Sequence, residues 1–486
     1  MTQSPEVAVV SGQEALPESR LARLLSRLLG KSTYAARLAP WIRGVADVMA
    51  LVVQNVATTA IATVTSLLNA RGLGPSNLGL VSLTQTVVGL SVSLTTMGVS
   101  QTSLRYASRE MAAGRTESGL AVLRWSLRHR MVFLIVLNVI LFAFAGVLAN
   151  NLWHQPELTS LIRIALPIGL LATLATVPDI YYQSLRRFWV NTGVRIGEAL
   201  VGLLGVLALW AFSWWTPFAS VMVSTTATAA GAVLFLAVIP RRVMIDWSEL
   251  KHFIRHPRQA LAFPAGAEEN TGDLPAESAT LFARSVMVSS LLYALSSRVD
   301  FVTLGRFRPA SDVGLYSVAT AMALPVAFAV GALVAALFPR MAAERTRASL
   351  IVLLRRTVKI CAVAFAAAAL YAAVVPPLAP VLFGPRYSPS VHVAQLLCVH
   401  QAISMVAAPL NIIGFGFGLA RQYVWVNAVA FVVVCAVNWM LVPDLGPIGA
   451  AVGWITYDLV ALVASIVLLK RCVGTPEAGV GAPTAR

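Results

Sequence analysis

The chain has 486 residues, 58% of them hydrophobic and only 12% charged, with a formal net charge of +16. A water-soluble domain carries about 25% charged residues, so this chain cannot cover a water-facing surface with polar groups, but it can face lipid. Its basic residues lie in gaps between apolar runs rather than in one patch, which argues against a nucleic-acid surface and for charge-oriented membrane topology. The cysteines Cys361, Cys398, Cys435 and Cys472 are scattered without Cys-x-x-Cys spacing, and are expected to form neither a metal site nor a disulfide framework.

In chain order, the first twenty residues are polar, and Arg20 to Gly30 alternates basic and leucine positions at helical spacing. That pattern predicts an amphipathic helix on an anionic membrane face, inside a cytoplasmic tail spanning 1–43. No cleavable signal peptide is evident, so the first span is expected to serve as an uncleaved insertion signal. A helix needs about 20 mostly apolar residues to cross ~30 Å of hydrocarbon. Segments meeting that test lie near 45–69, 78–100, 131–149, 160–182, 194–213, 217–239, 284–304, 314–338, 358–378, 390–413, 423–442 and 447–469. The expected fold is therefore an all-α polytopic membrane protein of about twelve transmembrane helices. Its parts would be an N-terminal six-helix bundle (44–239), a cytoplasmic linker (240–283), a C-terminal six-helix bundle (284–470) and a cytoplasmic tail (471–486).

Loop charge supports the count. Alternate gaps hold Arg105, Arg109, Arg115, Arg124, Arg128 and Arg130; Arg186 and Arg187; Arg241, Arg242, Lys251, Arg255 and Arg258; Arg340, Arg345, Arg347, Arg355 and Arg356; Arg421; and Lys470 with Arg471. The intervening gaps hold only Arg71, the Arg306/Arg308 pair and Arg386. The positive-inside rule then places both termini in the cytoplasm. Within the linker, Trp247, Leu250, Phe253 and Ile254 oppose Lys251, Arg255 and Arg258, which predicts a second interfacial helix.

The two halves carry an internal repeat. Arg71-Gly-Leu-Gly-Pro-Ser76-Asn-Leu-Gly79-Leu80-Val-Ser82 aligns without gaps on Arg306-Phe-Arg-Pro-Ala-Ser311-Asp-Val-Gly314-Leu315-Tyr-Ser317, matching Arg, Ser, Gly, Leu and Ser. Each stretch follows the first span of a six-span half. An even number of spans gives parallel repeats about an axis along the membrane normal, with the default site in a cavity between them.

Three stretches carry a wider resemblance: Ala70-Arg-Gly-Leu-Gly-Pro-Ser-Asn-Leu-Gly79; Asp300-Phe-Val-Thr-Leu-Gly305 with Val313-Gly-Leu-Tyr-Ser317; and Gly446-Pro-Ile-Gly-Ala-Ala451. They resemble the polysaccharide (oligosaccharide) flippase family of the multidrug/oligosaccharidyl-lipid/polysaccharide exporter superfamily, over about residues 44–470. The resemblance implies two six-helix bundles in a V, alternating access, and export of a polyprenyl-pyrophosphate-linked oligosaccharide across a bacterial cytoplasmic membrane. Implied partners are that lipid-linked oligosaccharide, membrane lipids and a polysaccharide polymerase or ligase. No cofactor is expected, and a proton or sodium gradient is the candidate driving force. The first helices lack the cluster of central arginines found in lipid II flippases.

A flippase must carry a pyrophosphate past hydrocarbon, so ionisable side chains at membrane depth are the candidates. Arg298 could pair bidentately with phosphate, or snorkel to an interface. Asp300 could line the cavity or tie helices together. Asp458, near mid-span, suits proton coupling or a bond to a neighbouring helix. His400 and Gln401 could touch sugar, carry a proton or bond between helices. Gln54, Asn55 and Gln85 are further cavity candidates, and Arg105 and Arg109 could draw a pyrophosphate to the cytoplasmic entrance. Asp47, Asp179 and Glu198 are expected to meet Arg43, Arg186, Arg187 or Arg195 structurally.

Two other transporter readings compete: a drug/cation antiporter of the same superfamily, and a lipid II flippase. A major-facilitator carrier is disfavoured because Gln101 to Glu110 does not match its signature between the second and third spans. An enzyme is not expected, since no Ser/His/Asp set, metal-ligand spacing or phosphate loop is found.

Overall fold

The computed structural model describes residues 33–96, 99–185, 187–240, 243, 276–343, 347–416 and 419–474. The amphipathic helix expected at 20–30, linker residues 244–275 and the tail beyond 474 lie outside the described residues. The described residues form helices joined by short turns, without a strand among them.

The first half comprises α1 (Thr33–Thr96), α2 (Val99–Ala112), α3 (Thr116–Val147), α4 (Leu158–Ser184), α5 (Phe188–Ala211) and α6 (Pro217–Val238). The second comprises α7 (Ala276–Phe307), α8 (Ala310–Ala343), α9 (Arg347–Val374), α10 (Ser390–Gly416), α11 (Ala420–Leu445) and α12 (Pro447–Gly474). Among the described residues, ten helices are long and apolar enough to cross a membrane. One of them, Met49–Thr95, has 47 residues, or about 70 Å at 1.5 Å per residue, roughly twice the ~30 Å of hydrocarbon. It turns at Gly74, whose φ of 72° and ψ of 172° break the helix. Glycine supplies that left-handed φ without steric cost, and α1 becomes two passes, limb 1 (33–73) and limb 2 (75–96). The helix α7 is not among the ten, because Arg298 and Asp300 dilute its apolar run. It nevertheless packs on α11 as limb 1 packs on α5, so the chain crosses twelve times.

Several boundaries differ from the sequence reading. The third span begins at Thr116, well before the apolar run, and leaves through a π turn at Leu148–Leu152. The segment read as a gap after the second span contains α2. The helix α9 stops at Val374, where Pro376 and Pro377 cannot continue it, and a short helical turn, Ala379–Phe383, follows. The α5–α6 division falls at Trp214-Trp215-Thr216 as expected, with the Thr216 side chain accepting a bond from the Ala219 amide at 3.1 Å.

The same packing plan recurs in each half. In the first, α4 packs against α3, α6 and α1, and α5 against α6; in the second, α10 packs against α9, α12 and α8, and α11 against α12. Outward faces are apolar and bare, as at Val139 (64% exposed) and Val363 (73%), which fits lipid rather than water. One buried apolar cluster runs through both lobes, from Leu80, Leu83 and Val87 on limb 2 to Val313, Tyr316 and Ala319 on α8.

Limb 2 and α8 make the seam, and there the repeat becomes a pseudo-twofold axis. A Cβ on Gly79 would collide with the carbonyl oxygen of Ala310, and one on Gly314 with that of Pro75. In the gapless alignment Gly79 matches Gly314 and Pro75 matches Ala310, so these are one contact made twice. Around it, at the end carrying the limb 1–limb 2 and α7–α8 turns (the turn end), reciprocal bonds clasp the lobes. Arg71 donates through Nε to the Leu382 carbonyl (2.7 Å) and through Nη2 to Val381 (2.8 Å). Arg306 Nη1 donates to the carbonyls of Asn151 (3.2 Å) and Leu152 (3.3 Å), with a ring nitrogen of His154 at 2.9 Å. These carbonyls belong to a short helical turn and to the π turn, whose final carbonyls lack partners along the helix and carry partial negative charge. Trp153 Nε1 donates to Val302 (3.2 Å) and the Tyr387 hydroxyl to Ala70 (2.7 Å). Burial pushes the Tyr387 hydroxyl above the ordinary phenol range, so it stays a donor.

Forcing a larger side chain into a packed crossing typically costs about 1–3 kcal/mol. Gly79→Leu and Gly314→Leu are expected to lower the unfolding temperature in detergent by similar amounts. Gly331→Leu should leave it unchanged, since nothing lies within 4 Å of a Cβ added there. An unaltered midpoint for either seam variant would contradict the paired crossing.

Candidate functional site

Among the described side chains of the predicted candidates, Arg298 reaches furthest across the seam. It lies on α7, eight positions before Arg306, about 12 Å into the membrane from the turn end. A Cβ on Gly89 of limb 2 would sit 2.9 Å from its Nη2 and 3.2 Å from its Cζ. The absence of a side chain at Gly89 is thus what admits the guanidinium of the opposite lobe. Arg298 Nε is buried without a hydrogen-bond partner. Gln85 is half-buried one turn before Gly89 and shares its face of limb 2 at helical spacing.

Asp300 is placed differently. It is buried inside the C-terminal lobe, where one oxygen accepts from the Tyr316 hydroxyl of α8 (2.7 Å) and from Trp454 Nε1 of α12 (2.9 Å). Its other oxygen accepts from the Phe301 amide at 2.7 Å. These donors offset much of the cost of holding a carboxyl in a low-dielectric interior. Three helices therefore converge on Asp300, two of whose partners, Tyr316 and Trp454, are not among the candidates that the sequence offers.

His400 and Asp458 meet. His400 Nδ1 lies 2.7 Å from Asp458 Oδ2, with both side chains over nine-tenths buried. The approach suits a charge pair but is off the line of a hydrogen bond, and neither atom has another hydrogen-bond partner. His400 is ten residues into α10 and Asp458 eleven into α12, about 15 Å along each, so the pair sits near the middle of the bilayer. The His400 ring packs on Trp454, centroids 4.9 Å apart, and its Nε2 is 3.2 Å from Gln401 Nε2. Trp454 thus touches both acids' surroundings, bonding to Asp300 and stacking on the partner of Asp458. The network extends to Tyr457, whose hydroxyl donates to Asn427 at 3.3 Å and whose ring faces Tyr293 at 6.4 Å.

The remaining candidates are not drawn into one cavity. Gln54 is half-buried inside the N-terminal lobe, its Oε1 3.4 Å from Thr192 Oγ1 of α5. Asn55 is exposed. Arg105 and Arg109 lie on α2 and Asp47 on α1, all with side chains outside the described ones. The N-terminal lobe holds its own polar cluster: Arg195 bonds Asp179 (3.0 Å) and Glu198 (3.1 Å), and Asp179 also accepts from Gln183 and Asn191 at 2.6 Å each. Of the four arginines expected to meet Asp179 and Glu198, the structure shows Arg195. Among the described residues, no group of three or more His, Cys, Asp or Glu could hold a metal ion.

The stretches that carry the family resemblance meet one another rather than the cleft. Asp300 bonds Tyr316, the Ala70–Gly79 stretch crosses the one at 310–317, and Gly446 (φ 56°) abuts the Arg308–Asp312 ion pair of 2.7 Å. Asp300→Ala would orphan two buried donors, a loss of roughly 2–4 kcal/mol at about 1–2 for each. A lowered unfolding temperature is expected for Asp300→Ala, with most of the loss recovered in Asp300→Asn. Equal stability of Asp300→Ala and wild type would show that the carboxyl does not tie the lobe together.

Comparison with known proteins agrees with this architecture. A family profile described as polysaccharide biosynthesis protein matches residues 45–344. No curated protein sequence matches. Among solved structures, an inward-facing multidrug resistance MATE family transporter of the MOP superfamily superposes with a TM-score of 0.60 at 13% identity, covering 87% of this chain and 98% of that one. The lipid II flippase MurJ in an inward closed conformation gives 0.61 at 9% identity, covering 86% and 87%. A MATE in a bent conformation gives 0.56 at 12% identity, covering 94% and 98%. At these identities the likeness is one of fold: two six-helix lobes in a V. With the profile spanning most of the chain, this multi-pass membrane protein belongs to the polysaccharide biosynthesis protein family.

Proposed function

We propose that the protein flips a polyprenyl-pyrophosphate-linked oligosaccharide across the bacterial cytoplasmic membrane by alternating access, with both termini in the cytoplasm. The observation that carries this reading is Arg298, a guanidinium at membrane depth on the lobe seam with a buried, unpartnered Nε. An arginine near the centre of a bilayer costs about 2.5–3.5 kcal/mol on insertion scales. The charge of Asp300, two positions along α7, offsets part of this. The hydrogen bonds of Asp300 go to Tyr316 and Trp454, however, which leaves Arg298 Nε for an anionic ligand. A pyrophosphate supplies two phosphates for the planar fork, while the sugars follow through the cleft and the polyprenyl tail stays in lipid. Orientation rests on the alternation of basic gaps. It makes the turn end periplasmic, so the Arg71 and Arg306 clasps shut the outer side. A polymerase or ligase acting on the exported glycan would be the natural recipient.

The His400–Asp458 pair supports coupling to a proton gradient. Protonating a buried imidazole beside a carboxylate turns a neutral ring into a salt bridge without a long-range charge movement. Trp454 links that change to Asp300 and so to α7, the helix that bears Arg298. Sodium is the alternative coupling ion.

In a strain lacking the protein, lipid-linked oligosaccharide is expected to accumulate on the cytoplasmic leaflet, measured by its accessibility in inside-out vesicles. Arg298→Ala should slow flipping roughly ten- to a hundredfold, the equivalent of about 1.5–3 kcal/mol of charge-assisted hydrogen bonding, with Arg298→Lys in between. Asp458→Asn should still exchange substrate down its gradient but lose acceleration by an imposed proton gradient. Undisturbed glycan export with altered drug susceptibility would replace this reading with a drug antiporter. Full acceleration in Asp458→Asn would remove the coupling role.

A further inference from the structure

The helices α11 and α12 leave a groove on their lipid-facing side that the reading above does not use. It is an open groove of about 680 Å³, lined by Gln422, Trp425, Val426, Leu459, Val463 and Leu468 among others. Its rim is open to lipid, with Trp425 68% and Val463 58% exposed. Its floor is firm, because Val426 and Leu468 pack on a buried cluster of Leu410, Leu419, Tyr423 and Leu469. From Leu459 to Leu468 the groove runs about 14 Å along α12, roughly the depth of one leaflet.

The mouth of the groove is cationic. Arg421 sits in the first turn of α11, and Lys470 and Arg471 in the last turns of α12, all exposed. The only acids on these two helices, Asp444 and Asp458, lie at the far end of α11 and the middle of α12. A one-leaflet apolar slot ending in net positive charge is complementary to one kind of molecule: a lipid with a long hydrocarbon chain and a negatively charged headgroup. We propose that this groove is a specific site for an anionic phospholipid, its chain along Trp425 and Val463 and its phosphate met by Arg421 and Lys470. A zwitterionic phospholipid fills the same slot but brings no net charge to the mouth. The site stands apart from the cargo reading, since it faces the bilayer and not the seam.

Native mass spectrometry of the full-length protein from nanodiscs holding equal phosphatidylglycerol and phosphatidylethanolamine of matched chains tests this. Each basic residue near an anionic lipid contributes about fivefold in affinity. Wild type should retain phosphatidylglycerol over phosphatidylethanolamine, and Arg421→Gln with Lys470→Gln should cut that preference roughly tenfold or more while an occupied groove remains. Val463→Trp, which fills the slot, should lose retention of both. Val432→Trp, at another exposed position of α11 (64%), should behave as wild type and control for the added indole. Equal retention of the two lipids by wild type would overturn the proposal, as would unchanged retention in Val463→Trp. Preferential capture of added polyprenyl phosphate, or a dimer lost in Val463→Trp, would do the same by assigning the groove another occupant.

Discussion

Two backbones touching at one crossing hold this protein in its present form. Limb 2 and α8 approach so closely at Gly79 and Gly314 that each helix presses a carbonyl where the other would carry a Cβ. Lipid tails are as apolar as the helices, so no hydrophobic gain draws the two lobes together, and close packing with bonds between helices must do it. Small residues permit the approach, and the clasps of Arg71 and Arg306 surround it with bonds to helix-end carbonyls. Because the contact is duplicated about an axis, neither lobe is the base and neither the lid. Under the proposed alternating access, rocking about such a seam would trade one set of contacts for another with little deformation inside a lobe.

Within this symmetric frame the ionisable groups are distributed asymmetrically. The N-terminal lobe neutralises Arg195 between Asp179 and Glu198. The C-terminal lobe keeps Asp300 on neutral donors and sets Asp458 against a histidine whose charge is conditional. Trp454 joins the two acids' environments, and α7 carries both Asp300 and Arg298. A change of protonation at His400 and Asp458 is therefore two contacts away from the helix that reaches across the seam. If the proposed proton coupling operates, that chain of contacts, more than any single residue, is its route to the arginine.

Much of this was legible in the sequence, and the limits have physical causes. Apolar length and alternating loop charge gave the twelve passes because both are one-dimensional quantities. The Arg71/Arg306 repeat marked equivalent places in the two halves, but a repeat cannot say that those places face each other. Arg298, His400 and Asp458 stood out because a charge at membrane depth is costly. The pairing of His400 with Asp458 depends on how α10 packs against α12, which periodicity does not encode. The bonds of Tyr316 and Trp454 to Asp300 are not legible in the sequence, because an aromatic ring in an apolar helix looks like packing until a buried acceptor is found opposite its polar atom. The quoted family stretches proved to shape the seam and the helix junctions, so they identify the fold better than the cargo.

The central claim is that the lobes pivot about the Gly79/Gly314 crossing, opening one membrane face as the other closes. Paired spin labels measure this directly by pulsed electron resonance in nanodiscs: one pair at the exposed Ser118 and Arg355 near the terminal end, another at the exposed Glu157 and Ser388 at the turn end. The account predicts two distance populations at each pair, shifting in opposite directions when lipid-linked substrate or a proton gradient is applied. A single unshifted distance at both pairs, or distances that lengthen together, would contradict it.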